Sequence, residues 1–148
     1  MALLSQTAEY ALQAATLLAQ QDGAVVEVGL LADTLGVPRN YLSKTLSQLV
    51  RAGVLESVRG KRGGFRLARS ARDITLLQVV EPFDRLTETG RCLLGQLVCS
   101  DRLPCAAHHQ WKELKERFIR FFRRTTLAEM ARGQTRWPNT GALTGIGR

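Results

Sequence analysis

The stretch that decides the fold is GLLADTLGVPRNYLSKTLSQLVRAGVLESVRGKRGG, residues 29–64. Its first seven residues have the apolar spacing of a short helix, and Gly36-Val37 follows as a turn. Pro38 suits the first position of a second helix, where its missing N–H costs nothing. This second helix is predicted to run to about Ala52, with Gly53 as its C-terminal cap. Two helices joined by such a short turn form a helix-turn-helix.

The second helix of this motif has two chemically different faces. Leu42, Leu46 and Leu49 follow the i, i+4, i+7 spacing of a buried face. The opposite face begins with polar side chains that can donate to or pair with base edges in a DNA major groove, which admits one α-helix. The candidate base-reading residues are Arg39, Asn40, Tyr41 and Lys44.

A basic hairpin is predicted directly after the helix-turn-helix. Residues 54–58 and 65–68 alternate as strands do, and three glycines between them permit a sharp turn. The turn carries Arg59, Lys61 and Arg62 and no acidic residue. Such a tip can lie along a DNA backbone or enter the minor groove, whose negative potential attracts arginine.

The remaining elements are predicted to be mostly helical. Ser5 to about Gln20 is read as a helix, and the valines of residues 25–28 as a short edge strand. Capping boxes begin helices after Thr75, ending at about Pro82, and after Thr126.

A long amphipathic helix is predicted from residue 105 or 106 to about Arg124. Its apolar positions step by three, four and three residues, which is the seam of a helix that pairs with another helix. These positions are Trp111, Leu114, Phe118 and Phe121. From Gly133 the chain has no apolar period, and we expect a disordered tail.

Charge and composition favour a polyanionic partner. The chain has 148 residues and a formal net charge of +8. Residues 51–72 contain seven basic side chains and one acid, a balance of +6. No stretch approaches the roughly 20 apolar residues of a membrane span, and no secretory signal is visible, so we expect a cytoplasmic protein. No nucleotide-binding motif or catalytic triad is found, so we do not expect an enzyme.

Three cysteines lie close together in a predicted loop, at Cys92, Cys99 and Cys105. Clustered cysteines in a cytosolic protein indicate metal binding or redox chemistry more than disulfides. Thiolates suit iron–sulfur clusters and zinc. A cluster held only by cysteines of one chain needs four ligands. The chain has three, so the fourth position is filled by another residue or a small molecule, or stays empty. His108, three residues after the last cysteine, is one candidate residue, and His109 ranks below it.

The chain resembles the IscR/NsrR family of winged-helix iron–sulfur transcription regulators. The resemblance rests on Tyr41-Leu42, Leu46, Leu49, Gly53 and Leu55, and above all on the wing run SVRGKRGGF at residues 57–65. It covers residues 1 to about 132. It implies a homodimer held by the long helix, a palindromic double-stranded DNA operator, and sequence readout by the recognition helix and Arg59.

The same resemblance implies that the three cysteines hold an iron–sulfur cluster. Regulators resembling NsrR can recruit a carboxylate from the first helix of the partner subunit, and the segment AEYAL containing Glu9 aligns with it. Glu9 of the partner subunit is thus a second candidate for the fourth ligand. The cluster type, 2Fe–2S or 4Fe–4S, and the choice between repression and activation stay open.

These observations predict a mainly α chain with a small β wing. Residues 1–72 form a winged helix-turn-helix domain, and 73–105 a linking helix and the cysteine loop. Residues 106–132 form the dimerisation helix and a short last helix, and 133–148 the tail. The expected function is a homodimeric DNA-binding regulator controlled by an iron–sulfur cluster, sensing iron–sulfur status, nitric oxide or redox stress. The alternative is the same regulator using zinc or bare thiols as a redox sensor.

Overall fold

The computed structural model describes residues 3–88, 92–95, 97–133 and 135–138. It is mainly helical with one antiparallel hairpin, as predicted. The helices are α1 (Gln6–Gln20), α2 (Val28–Leu35), α3 (Arg39–Arg51), α4 (Leu76–Asp84), α5 (His108–Arg124) and α6 (Leu127–Arg132), with a 3-10 turn at Ala71–Asp73. The strands are β1 (Leu55–Val58) and β2 (Gly64–Leu67).

Helix α1 lies at the centre of the core, in contact with α3, α4 and α6. Its buried face is built largely from small residues, which let neighbouring helices approach closely: Ala8, Ala11, Ala14 and Ala15. Leu42, Leu46 and Leu49 of α3 are fully buried as predicted. Burying each leucine side chain contributes about 1.5–3 kcal/mol, so this row fixes which face of α3 remains outside.

Three helices, α1, α4 and α6, begin at the capping residues that the sequence indicates. The Ser5 side chain accepts from the Ala8 N–H at the start of α1. Both predicted capping boxes form, at Thr75 with Gln78 and at Thr126 with Glu129. Three boundaries differ from the sequence prediction because terminal turns depend on local contacts. Pro38 is the residue before α3, α4 continues two residues beyond Pro82, and α5 begins at His108 rather than at 105 or 106.

The hairpin pairs residue by residue from Leu55–Leu67 to Val58–Gly64. Glu56 faces Arg66 across the strands, with 3.0 Å between the carboxylate and the guanidinium Nε. The predicted edge strand is wrong in extent: within the described residues only Val26 makes a bridge, to Phe65, and Val28 already begins α2. A Cβ on Gly64 would lie 2.1 Å from the Val26 carbonyl oxygen, so this close approach requires glycine.

The start of α4 is hydrogen-bonded to the chain between α5 and α6. The N–H of Leu76 donates to the Thr125 carbonyl, and the N–H of Leu127 donates to the Ile74 carbonyl. These two bonds hold the start of α4 against the junction of α5 and α6. The C-terminal end of α5 is thereby fixed to the core, where Phe122 is buried.

Part of the predicted disordered tail contacts the core. Among residues 135–138, the Trp137 ring packs against the core and its indole N–H donates to the Gln20 side chain at 3.4 Å. Residues 139–148 of that predicted tail lie outside the described residues.

Candidate DNA interface and cysteine segment

The outer face of α3 presents the four predicted base-reading residues. Arg39, Asn40, Tyr41 and Lys44 are all exposed. Arg39 also reaches back to Glu27 at the start of α2, with 3.5 Å between the guanidinium and the carboxylate. Both partners of this pair are well exposed, so water screens the attraction and the guanidinium can be redirected to DNA at little cost.

Tyr41 connects the recognition helix to α1. Its hydroxyl hydrogen-bonds to the Thr7 hydroxyl. Its ring meets the Tyr10 ring edge to face, with centroids 5.8 Å apart. A displacement of the first turns of α1 would therefore be transmitted directly to the N-terminal part of α3.

The wing tip is a cluster of cations without counter-charges. Arg59, Lys61 and Arg62 are exposed, and no carboxylate of the described residues pairs with them. Gly60, at a φ of +112°, and the following glycines let the backbone turn without side chains. The tip can therefore approach a phosphate backbone closely.

All three cysteines lie between α4 and α5, in residues 85–107, which we call the cysteine segment. Each is half-buried and forms no disulfide. The carbonyl of Cys92 accepts from the Gly95 N–H, and the carbonyl of Cys105 accepts from the His108 N–H at the start of α5. The long α5 helix thus begins immediately after the last cysteine, and its positive end favours anionic groups there.

The Cys99 thiol contacts another predicted ligand, His108. Its Sγ lies 3.3 Å from Nδ1 of His108. The other ring nitrogen of His108, Nε2, lies 2.7 Å from Asp101 Oδ1, and Lys112 donates to both oxygens of the same carboxylate. The His108 hydrogen bond, followed by Lys112, lowers the pKa of Asp101. The hydrogen bond to Asp101 in turn raises the pKa of Lys112.

The donor set suits an iron–sulfur or zinc centre in its chemistry, because three cysteines that form no disulfide and an imidazole lie within residues 92–108. Two ligands of a tetrahedral zinc would be about 3.6 Å apart for sulfur and nitrogen, close to the separation of Cys99 and His108. Within the described residues no three His, Cys, Asp or Glu side chains are gathered for a metal. Glu9 is exposed on the first turn of α1.

The sequence model of the Rrf2 family, described as iron-dependent transcriptional regulators, matches residues 4–133. The chain belongs to the Rrf2 family. This confirms the resemblance inferred from the wing and the recognition helix, and the winged-helix fold with it.

Individual Rrf2-related proteins show the same likeness. A candidate HTH-type transcriptional regulator of Aquifex aeolicus is 37% identical over 130 residues, which are 86% of this chain and 90% of that protein. The transcriptional regulator IscR of Photobacterium profundum is 33% identical over 115 residues, 78% of this chain and 66% of its own.

Solved structures share the fold. CymR, the global cysteine regulator of B. subtilis, superposes with a TM-score of 0.75 at 22% identity, covering 88% of this chain and 97% of its own. IscR of T. potens superposes with a TM-score of 0.66 at 25% identity, covering 90% of this chain and 93% of its own. The chain is a DNA-binding transcriptional regulator of the Rrf2 family and not an enzyme. No helix in the described part of the chain is long and apolar enough to cross a membrane.

Sequence reasoning missed three residues around these sites. Asp101 hydrogen-bonds to His108, Lys112 hydrogen-bonds to Asp101, and Thr7 hydrogen-bonds to Tyr41. The four-residue spacing of His108 and Lys112 places them on one face of α5 and could have indicated a shared partner. Nothing in the sequence marks Asp101, because it approaches α5 through an irregular turn.

Proposed function

We propose that this Rrf2 regulator is a homodimer whose binding to a palindromic operator is controlled by an iron–sulfur cluster held by Cys92, Cys99 and Cys105. The signal is iron–sulfur status, nitric oxide or redox stress. The observation that carries the proposal is the contact of the Cys99 thiol with His108, in a segment that contains three half-buried cysteines and no disulfide between them. The iron-dependent description of the family supports it.

The fourth ligand is His108 or Glu9 of the partner subunit. His108 is already placed beside Cys99, whereas Glu9 extends from the exposed first turn of α1. Bound there, the cluster supplies a redox-active centre that reacts with oxygen and nitric oxide. The protein's part is to hold the cysteine segment in one arrangement while the centre is intact.

The dimer is held by α5. Trp111, Leu114, Phe118 and Phe121 form one apolar seam, and Leu114 and Phe121 are more than half exposed within the single chain. Such a seam at three- and four-residue steps suits pairing with a second copy of the same helix. A dimer paired through α5 has two recognition helices, one for each half-site of a palindromic operator.

A chain of direct contacts connects the cysteine segment to the recognition helix. The segment begins after Asp84, whose carboxylate accepts from the Ser5 N–H at 2.8 Å. Ser5 caps α1. Two residues further on, Thr7 hydrogen-bonds to Tyr41 of α3. A change in the segment that displaces Asp84 therefore alters the angle between α1 and α3, and shifts of an ångström or two at half-site spacing disturb simultaneous docking.

DNA binding by the wing and α3 accounts for the charge distribution. The exposed cations at the wing tip contact phosphates or the minor groove, and the outer face of α3 contacts base edges. The proposed contacts are Arg59, Lys61 and Arg62 of the wing and Arg39, Asn40, Tyr41 and Lys44 of α3.

A second candidate is the same regulator sensing redox state through zinc or bare thiols. The contact of the Cys99 thiol with an imidazole favours it, because a neighbouring histidine promotes thiol reactivity. The two candidates share the DNA interface and differ only in what occupies the cysteine segment.

Anaerobic purification separates the two. We expect a coloured protein with stoichiometric iron and acid-labile sulfide, and loss of both in Cys99→Ala. The matched control is Ser100→Ala, which changes the neighbouring residue without removing a thiol. A colourless protein without iron or sulfide even after reconstitution contradicts the cluster and supports zinc or bare thiols. Full cluster content in Cys99→Ala contradicts the assignment of Cys99.

A further inference from the structure

Asp101, His108 and Lys112 form a hydrogen-bonded chain that ends at the Cys99 thiol. His108 is 3% exposed, so both of its ring nitrogens must find partners inside the protein. Nδ1 faces Cys99 Sγ at 3.3 Å, and Nε2 faces Asp101 Oδ1 at 2.7 Å. Lys112 lies 3.1 Å from Asp101 Oδ2.

The local sequence explains this arrangement. His108 is the first residue of α5, and Lys112 follows one turn later on the same face. Asp101 lies in the turn before Pro104 and brings its carboxylate to both side chains. The positive end of the α5 dipole also favours a carboxylate at this position.

The direction of the hydrogen bonds determines which nitrogen of His108 carries the proton. An ionised carboxylate only accepts, so Nε2 of His108 must donate to Asp101. In the tautomer with its single ring proton on Nε2, Nδ1 has a free lone pair that can accept from the Cys99 thiol. The lone pair of Nδ1 is therefore directed towards the cysteine whose sulfur we propose as a ligand.

We propose that Asp101 is a positioning residue that fixes the His108 tautomer, with the proton on Nε2 and the Nδ1 lone pair directed at Cys99, and that Lys112 holds Asp101 in place. The inference rests on the proposed cluster only for its consequence, that Nδ1 is the nitrogen offered to the centre. Histidines that ligate metals usually donate their other nitrogen to such a carboxylate, and loss of that partner lowers metal affinity about 10- to 100-fold.

The first test uses the full chain without metal. Histidine-selective ¹⁵N labelling and NMR report which ring nitrogen of His108 carries hydrogen. We expect a protonated Nε2 and an unprotonated Nδ1 in the wild-type chain, and loss of this fixed tautomer in Asp101→Ala. Asp22→Asn, in the turn after α1, is the control and is expected to leave His108 unchanged. A wild-type tautomer in Asp101→Ala overturns the proposal whether or not a cluster binds.

The second test uses the anaerobically reconstituted protein. We expect Asp101→Ala to release iron to a chelator about 10- to 100-fold more readily than wild type, with altered visible circular dichroism. Lys112→Ala should change both in the same direction and by less. Asp101→Asn keeps an oxygen acceptor at this position and removes the negative charge. A wild-type tautomer in this variant would show that the acceptor alone fixes the proton on Nε2. Iron retention and spectra like wild type in Asp101→Ala overturn the consequence for the centre. If the wild-type chain binds no iron and sulfide, the proposed cluster is contradicted. The NMR experiment still tests the positioning role of Asp101 in that case.

Discussion

The winged region, residues 3–72, and the cysteine segment, residues 85–107, are built on opposite principles. In the winged region the large aliphatic residues of α3 and β1 belong to one buried core with α1. Local signals mark some of its helix ends, such as the Ser5 cap of α1 and the left-handed Gly36 after α2. In the described part of the cysteine segment, large apolar side chains are exposed, and α-helix and strand are absent. The exposed residues are Leu93, Leu94, Leu97, Val98 and Leu103.

This difference in burial shows which contacts determine the structure of each region. The winged region is specified by its own chain, because burying its apolar residues is possible within one subunit. The cysteine segment leaves apolar side chains and thiols without comparable burial, so its own residues define it less completely. Under the proposed function, the cluster and the partner subunit supply the remaining contacts.

The largest effect is expected when one leucine in each region is replaced by alanine. Leu46→Ala should lower the free energy of unfolding by about 2–5 kcal/mol, because it leaves a cavity in a close-packed core. Leu97→Ala, whose side chain is 99% exposed, should change it by less than about 0.5 kcal/mol. Urea unfolding at one fixed protein concentration measures both. Equal losses would show that the cysteine segment is part of the same cooperative core.

The next effect concerns the DNA surface of the winged region. Arg59→Ala with Lys61→Ala should weaken specific DNA binding about 10- to 100-fold at constant salt and reduce the salt-dependence slope by about two. Fluorescence anisotropy over a salt series gives both values. Arg120→Ala with Arg123→Ala removes two exposed cations from α5 and should leave the slope unchanged. An equal loss in the α5 control would assign the effect to net charge rather than to the wing.

The smallest effect concerns the contact between the two hydroxyls of α1 and α3. A double-mutant cycle of Thr7→Val and Tyr41→Phe should show a coupling of about 0.5–1.5 kcal/mol, the net value of one hydrogen bond. Thermal unfolding of the four proteins supplies the cycle. Additive effects would mean that this contact does not connect the two helices, and would break the proposed path from the cysteine segment.

The winged region was the more predictable of the two. The spacing of Leu42, Leu46 and Leu49 predicted α3 and its buried face, and the residues of both capping boxes predicted where α4 and α6 begin. These signals are local, so a single sequence displays them. The exact extent of the pairing at Val26 was missed, since it depends on how close the Gly64 backbone comes from elsewhere in the chain.

The surroundings of the cysteines were predictable only in part. The residue types and their crowding indicated a metal or redox site, but the partners of His108 did not follow from any pattern. Asp101 meets His108 through an irregular turn, and Trp137 meets Gln20 across 117 residues. Contacts of this kind are set by the packing of the whole chain. The roles of the cysteines and of the DNA-facing residues stay predictions for experiment.

The most direct test of the account compares operator affinity with and without the cluster. A duplex selected from random sequences by the anaerobic protein serves as the operator, and affinity is measured before and after the cluster is removed by nitric oxide or a chelator. The account predicts a change of about 5- to 150-fold, the usual range of coupling between two sites. It also predicts that Cys99→Ala binds this duplex with the affinity of the cluster-free protein. Equal affinity of the loaded and cluster-free forms would contradict control of DNA binding by the cysteine segment.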